Sequence, residues 1–134
     1  MFSILSMAAR QARLNALLTL INEGKRIDFY AGTPPAKPEL PTTEMLLASI
    51  TLATPAGAVG VVDGVATLTI TTPREVTCIK TGIVGWARFF DGVDGGIMDL
   101  GVGAIGSSSP VVLSDLRVYT GGELQLLACS IAEQ

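Results

Sequence analysis

Histidine is absent from this chain of 134 residues. Its absence removes the commonest general base, the Ser-His and Cys-His arrangements that activate a nucleophile, and the commonest metal ligand. Paired carboxylates still permit glycoside hydrolysis, so the absence excludes no class of enzyme outright. The composition nevertheless favours a protein that is not an enzyme, and we expect no catalytic residue, no bound metal and no cofactor.

Charged residues are also few. They make up 16% of the chain, against about 25% in an average soluble domain, while hydrophobic residues make up 49%. A chain with so few charges buries its apolar surface either in an unusually large core or against other chains, and we expect the second. The formal net charge of −3 argues against nucleic acid as a partner, because non-specific binding needs a basic surface. The composition therefore predicts protein partners, including further copies of the chain itself.

Long hydrophobic runs are missing as well. The longest candidate, from Met45 to Val62, is interrupted by threonine, proline and glycine. The segment from Met1 to Ala9 is too short to span a membrane, and it lacks the positive charge that precedes the apolar part of a signal peptide. We therefore expect a soluble chain made in the cytoplasm, with no membrane partner.

The chain has only two cysteines, Cys78 and Cys129, and both lie in β-like runs. In a cytoplasmic protein such cysteines are more often buried free thiols than a disulfide or a metal pair. A disulfide between paired strands is the alternative.

The sequence changes its periodicity at Gly24. Before it, residues 3–22 predict one helix, capped at Ser3 or Ser6 and ended by Gly24 in the left-handed conformation. We therefore divide the chain into an N-terminal helix and arm, residues 1–24, and a single β domain, residues 25–134.

The sequence after Gly24 is rich in Thr, Val and Gly, with turn signals about every ten residues. Asp63-Gly64 predicts a type I′ hairpin, and Gly121-Gly122 predicts a last hairpin between strands 111–119 and 123–132. Residues 76–90 predict one long, bent strand. This pattern predicts a mainly β fold with one N-terminal α-helix, as an antiparallel β-sandwich, a jelly-roll-like domain or a barrel.

Two groups of residues are candidates for binding chemistry. Asp91, Asp94 and Asp99 lie near glycines that suit a calcium loop, but Asp-Gly pairs are also common in turns, and we favour the turn. Trp86 and Arg88 share one face of a strand by alternation. An exposed pair would suit a sugar, although the scarcity of aromatic residues makes core packing of Trp86 the favoured interpretation.

The order of four segments resembles that of small virion proteins of tailed bacteriophages. The segments are Leu-Asn-Ala-Leu-Leu-Thr-Leu-Ile-Asn at 14–22, Ile-Asp-Phe-Tyr-Ala-Gly-Thr-Pro-Pro-Ala at 27–36, Leu-Leu-Ala-Ser-Ile-Thr-Leu at 46–52 and Gly-Trp-Ala-Arg-Phe at 85–89. The resemblance implies a β-rich virion component without an active site, assembled in the host cytoplasm. Its implied role is a capsid cement or decoration protein bound to the major capsid protein or other virion subunits. A tail or head–tail joining role is the next alternative, and a carbohydrate-binding β-sandwich of a host-recognition structure is another.

We expect the partner contacts in three places: the arm, the apolar helix face and the Pro-rich loop that follows the first strand. An arm and an extended loop can both reach across joints between subunits. The residues expected to bind a partner are Phe2, Ile4, Leu5, Leu14, Leu17, Leu18, Ile21, Pro34, Pro35 and Pro38.

Overall fold

A computed structural model describes residues 4–133 of the chain, which form a mainly β structure with one helix. The predicted class, a mainly β fold with one N-terminal helix, is confirmed. The elements are α1 (Met7–Gly24), β1 (Arg26–Tyr30), β2 (Leu46–Thr51), β3 (Gly57–Val62), β4 (Val65–Ile70), β5 (Arg74–Thr77), β6 (Gly82–Ile83), β7 (Trp86–Phe90), β8 (Gly96–Ala104), β9 (Val111–Leu113), β10 (Arg117–Val118) and β11 (Glu123–Glu133).

The helix begins as predicted but ends differently. Ser6 is the N-cap, and its hydroxyl oxygen accepts a hydrogen bond from the Ala9 N–H at 3.1 Å. At the other end the left-handed residue is Lys25, with φ 53°, so the expectation for Gly24 is wrong. Gly24 is the last helical residue, and a Cβ there would overlap the carbonyl of Phe90 on β7. Gly24 is therefore required for the close approach of α1 to β7.

One curled, mixed sheet of nine strands forms most of the structure, in the order β2-β1-β7-β8-β9-β11-β4-β3, with β5 paired to β11. Strands β8 and β9 are parallel, so the expectation of a wholly antiparallel arrangement is corrected. The chain between them folds back over Gly103, where a Cβ would meet the hydroxyls of Ser107 and Ser109. This close approach explains how a short connection joins two parallel neighbours.

The hairpin predicted at Asp63-Gly64 is present, with positive φ at both residues, 50° and 76°. The long strand predicted for residues 76–90 is instead three strands, β5, β6 and β7. They separate because β5 pairs with β11, β6 with β10, and β7 with β1. The strand predicted for 111–119 is likewise divided into β9 and β10, of which only β9 pairs with β11.

The helix and the sheet share one hydrophobic core. Leu14 and Ile21 of α1 are 2% and 0% exposed, and they pack in the same cluster as Ile27, Phe29 and Phe89 of the sheet. Burial of a side chain of this size contributes roughly 1.5–3 kcal/mol. The helix is therefore an integral part of the folded body and not a separate attachment.

Both cysteines are buried free thiols, as predicted, and no disulfide joins them. Burial raises the pKa of Cys129 to about 12 and also raises the pKa of Cys78. Neither side chain therefore provides a reactive thiolate near neutral pH.

Candidate functional site

A row of charges crosses the outer face of β1, β7 and β8. Strand register places Asp28 opposite Arg88 and Arg88 opposite Asp99. Arg88 donates to both carboxylate oxygens of Asp99, through Nε at 2.6 Å and Nη2 at 3.0 Å, and it is only 3% exposed. Ser49 on β2 donates its hydroxyl to Asp28 at 2.5 Å. We call these four residues, Asp28, Ser49, Arg88 and Asp99, the ionic cluster.

Arg26 extends the ionic cluster toward the turn after β7. Its Nη1 donates to Asp94 Oδ1 at 2.9 Å, and its guanidinium lies 3.9 Å from the centre of the Phe90 ring. Its Nε is 3.2 Å from Asp28 Oδ1 but makes no hydrogen bond to any described residue, so its contact with Asp28 is an ion pair alone. Arg26 thus connects the covered charges to the surface.

Trp86 is packed inside this face. Its ring stacks on Tyr30 at 4.6 Å with an interplanar angle of 19°, its Nε1 donates to the carbonyl of Ala31 at 3.2 Å, and it is 1% exposed. The Arg88 guanidinium is 5.0 Å from the Trp86 ring centre. The favoured interpretation of Trp86 as a packed residue agrees with this environment. An exposed Trp86–Arg88 platform for a sugar is not present, because both side chains are covered.

The phenol of Tyr30 is held in its neutral form. Burial raises the pKa of Tyr30 to about 12, and the nearby Asp28 carboxylate adds to the shift through its charge and a 3.4 Å hydrogen bond from the phenol. A raised pKa means that the folded protein holds this proton more tightly than the unfolded chain.

We therefore expect the contribution of Tyr30 to the free energy of unfolding to be fully present below pH 10 and to be lost as pH rises toward about 12. Absorbance titration at the phenolate band, with Tyr30→Phe as the comparison, measures this ionisation. The variant should lack the step near pH 12 and should lose less stability above pH 10. An unchanged titration in the variant would contradict the assignment.

The Pro-rich loop, residues 33–44, covers the ionic cluster. Arg88 Nη1 donates to the carbonyl of Leu40 at 2.8 Å, and Gly96 lies directly against the carbonyl of Pro38. A groove of about 470 Å³ is lined by this loop, by strands β1, β2 and β7, and by the turn at residues 94–96. Two charged residues that line the groove form ion pairs with other residues of the chain. Arg88 pairs with Asp99, and Asp94 pairs with Arg26. The arrangement fastens the loop to the sheet.

The three aspartates considered for a metal have separate roles. Asp91 Oδ1 accepts hydrogen bonds from the N–H groups of Val93 and Gly95 at 3.0 and 2.8 Å. Asp94 pairs with Arg26, and Asp99 pairs with Arg88. Across residues 4–133, no three acidic or cysteine side chains are grouped in a way that would hold a metal ion. The turn interpretation of Asp91 agrees with its hydrogen bonds.

The expected contact residues of the helix fall mainly in the chain's own core. Leu14 and Ile21 are buried between α1 and the sheet, so the expectation that they contact a partner is corrected. These two side chains fill the space between the helix and the sheet, and almost none of their surface is exposed to a partner. Leu17 and Leu18 are half-buried and pack against the same core.

The other expected contact residues differ in exposure. Ile4 is 75% exposed and Leu5 is 37% exposed, whereas Phe2 lies outside the described residues. In the Pro-rich loop, Pro34 is exposed, and Pro35 and Pro38 are half-buried. Partner contact through these residues stays a prediction.

One exposed apolar surface was not expected from the sequence. Strands β6 and β10 pair through Gly82 with Val118 and Ile83 with Arg117. Val118 is buried and Gly82 lies against Leu47, so the alternate residues face outward. We call this outward face the ribbon patch, and it comprises Ile79, Ile83, Arg117 and Tyr119, of which the three uncharged residues are 49%, 54% and 58% exposed. The alternation in Leu116-Arg117-Val118-Tyr119 was the signal available in the sequence. No local pattern, however, indicated that this segment pairs with β6 and forms a strand separate from β9.

Within residues 4–133, no helix is both long and apolar enough to cross a membrane. Comparisons with protein-family models, with curated proteins and with solved structures find no match to this chain.

Proposed function

We propose that this chain is a non-enzymatic structural protein of a tailed-bacteriophage virion, and that it binds capsid subunits as a cement or decoration protein. The order of the sequence segments, which resembles that of such virion proteins, supports the proposal. So does a composition with few charges and many apolar residues. A protein with this role acts through contact area spread over neighbouring subunits, because it stabilises only the assembled state.

The ribbon patch is the observation that carries the proposal. It combines two isoleucines with a tyrosine and an arginine, the last two being residue types that are enriched at protein interfaces. Its inner side rests on the core, through Gly82 against Leu47 and through the buried Val118. The exposed Ile4 and Leu5 of the arm are a second contact surface on this proposal.

The test uses particles of the tailed phage that encodes this chain, prepared with its gene deleted and then incubated with purified protein. We expect the protein to co-sediment with the particles. The double variant Ile83→Lys and Tyr119→Ala should bind about tenfold or more weakly, because hot-spot residues at interfaces each contribute roughly 2 kcal/mol or more.

The matched control is Val93→Lys, which places a charge at another highly exposed apolar residue, 86% exposed in the turn after β7. Its particle binding should equal that of the unchanged protein. No co-sedimentation of the unchanged protein would contradict the virion role. Equal binding by the double variant would contradict the ribbon patch. An image of the labelled particle would distinguish a capsid position from a tail or head–tail position.

A further inference from the structure

We propose that β3 pairs with β3 of a second copy of this chain, antiparallel and across a twofold axis, so that two sheets join into one. Self-association of the pure protein does not depend on the virion role, and no particle is needed to test it.

The free edge of β3 follows from the hairpin that contains it. Among the strands of residues 4–133, β3 ends the sheet and pairs only with β4. Because the turn has two residues, both with positive φ, Val62 and Val65 form the hydrogen-bonded pair that closes the hairpin. Alternation then directs the backbone N–H and C=O of Val59 and Val61 away from β4. Within residues 4–133 these outward groups have no hydrogen-bond partner.

This edge also lacks the usual protection against pairing. Residues 57–62 contain no charged residue and no proline, and Val61 and Val62 are each 51% exposed. Edge strands of soluble proteins are commonly protected by lysine, proline, a bulge or a covering segment. An unprotected apolar edge is therefore suited to accept another strand.

The opposite edge of the sheet is closed. At β2 the carbonyl of Leu47 accepts from the N–H of Ile79 at 2.8 Å, and the carbonyl of Thr51 accepts from Arg74 Nη2 at 2.9 Å. With one edge closed and one open, edge-to-edge association stops at two copies. A closed pair of identical strands is an isologous interface, which favours a second copy as the occupant.

A register centred on Gly60 satisfies the free groups of both copies. It places Val59 opposite Val61 of the second copy, so that their outward N–H and C=O groups bond each other. Asp63 then lies opposite Gly57 of the second copy, and the two Asp63 carboxylates do not face one another. A Cβ at Gly60 would meet nothing within 4 Å, so a side chain can be placed at the centre of this register without a clash inside the chain.

The first experiment is cysteine cross-linking with Gly60→Cys under mild oxidation. At a non-hydrogen-bonded antiparallel pair the two Cα atoms are about 4.5 Å apart, within the range for a disulfide. Cys78 and Cys129 are buried at 3% and 1% exposure, so the new thiol is the reactive one. The matched control is Gly101→Cys, at another glycine with open space around its Cβ position. We expect a covalent dimer for Gly60→Cys and none for Gly101→Cys.

The second experiment removes one outward donor. Val61→Pro deletes an N–H that has no hydrogen-bond partner among residues 4–133, and proline is tolerated at such edge positions. Sedimentation velocity should show a dimer for the unchanged protein and a dissociation constant about tenfold or more higher for Val61→Pro, because each copy loses one interface hydrogen bond. The control Val61→Thr keeps the N–H and the β-branched shape and should still dimerise. A monomer at every concentration, or a dimer unaffected by Val61→Pro, would overturn the inference.

Discussion

Replacement of Arg88 by methionine is expected to lower the free energy of unfolding by about 3–5 kcal/mol, because it breaks a buried ion pair from one side. Arg88 is 3% exposed, and its three donor nitrogens bond both oxygens of Asp99 and the carbonyl of Leu40. Methionine fills part of the space but leaves the Asp99 carboxylate without its counter-charge. Urea denaturation followed by circular dichroism measures the loss. Fluorescence is less suitable, because the one tryptophan, Trp86, touches the substituted residue.

The control for this prediction is Arg13→Met. Arg13 also pairs with a carboxylate, that of Glu133 at 3.1 Å, but its side chain is 61% exposed. An exposed pair contributes about 0–1 kcal/mol, so this variant should be nearly as stable as the unchanged protein. Equal stabilities of Arg88→Met and Arg13→Met would contradict a stabilising role for the ionic cluster.

The same substitution should release the Pro-rich loop. Arg88 is the side chain that holds the Leu40 carbonyl, so its loss leaves residues 33–44 with fewer contacts to the sheet. We expect faster cleavage after Glu39 by a glutamate-specific protease in Arg88→Met than in Arg13→Met, under conditions where both are folded. Faster cleavage there would separate a local effect on the loop from a general loss of stability.

Local chemistry in the sequence predicted several elements correctly. The Ser6 cap, the Asp63-Gly64 turn and the free cysteines each depend on a few neighbouring residues or on composition. Alternation also placed Trp86 and Arg88 on one face. These features need no knowledge of which distant segments meet.

Features that depend on distant segments were missed. The parallel pairing of β8 with β9 requires the chain to fold back over Gly103, and the division of residues 76–90 requires three different partners for one apparent strand. Predicting the ionic cluster would have required the strand register that aligns Asp28, Arg88 and Asp99. Predicting the burial of the cluster would have required knowing that the Pro-rich loop covers it, and no local pattern indicates where that loop lies.

The sequence and the structure give different physical reasons for the glycine at position 24. Read from the sequence, it is a left-handed helix terminator. In the structure it is helical, and the left-handed residue is Lys25. Helix propensity alone would make Gly24→Ala stabilising by about 1 kcal/mol. The added Cβ, however, would overlap the backbone carbonyls of Phe90 and Asp91, which belong to the sheet and its turn and move with difficulty.

We therefore expect Gly24→Ala to lower the free energy of unfolding by about 2 kcal/mol or more, since overpacking against backbone outweighs the gain in propensity. Lys25→Gly should have the opposite sign and stabilise by up to about 1 kcal/mol, because glycine adopts the left-handed conformation without steric cost. Gly60→Ala, where a Cβ meets nothing, controls for a general effect of alanine and should be neutral or slightly stabilising. Urea denaturation of the three variants measures the sign and size of each change in the free energy of unfolding. A stable Gly24→Ala protein would mean that α1 does not approach β7 as closely as described, whereas a loss confined to Gly24→Ala would show that helix and sheet form one body at this junction.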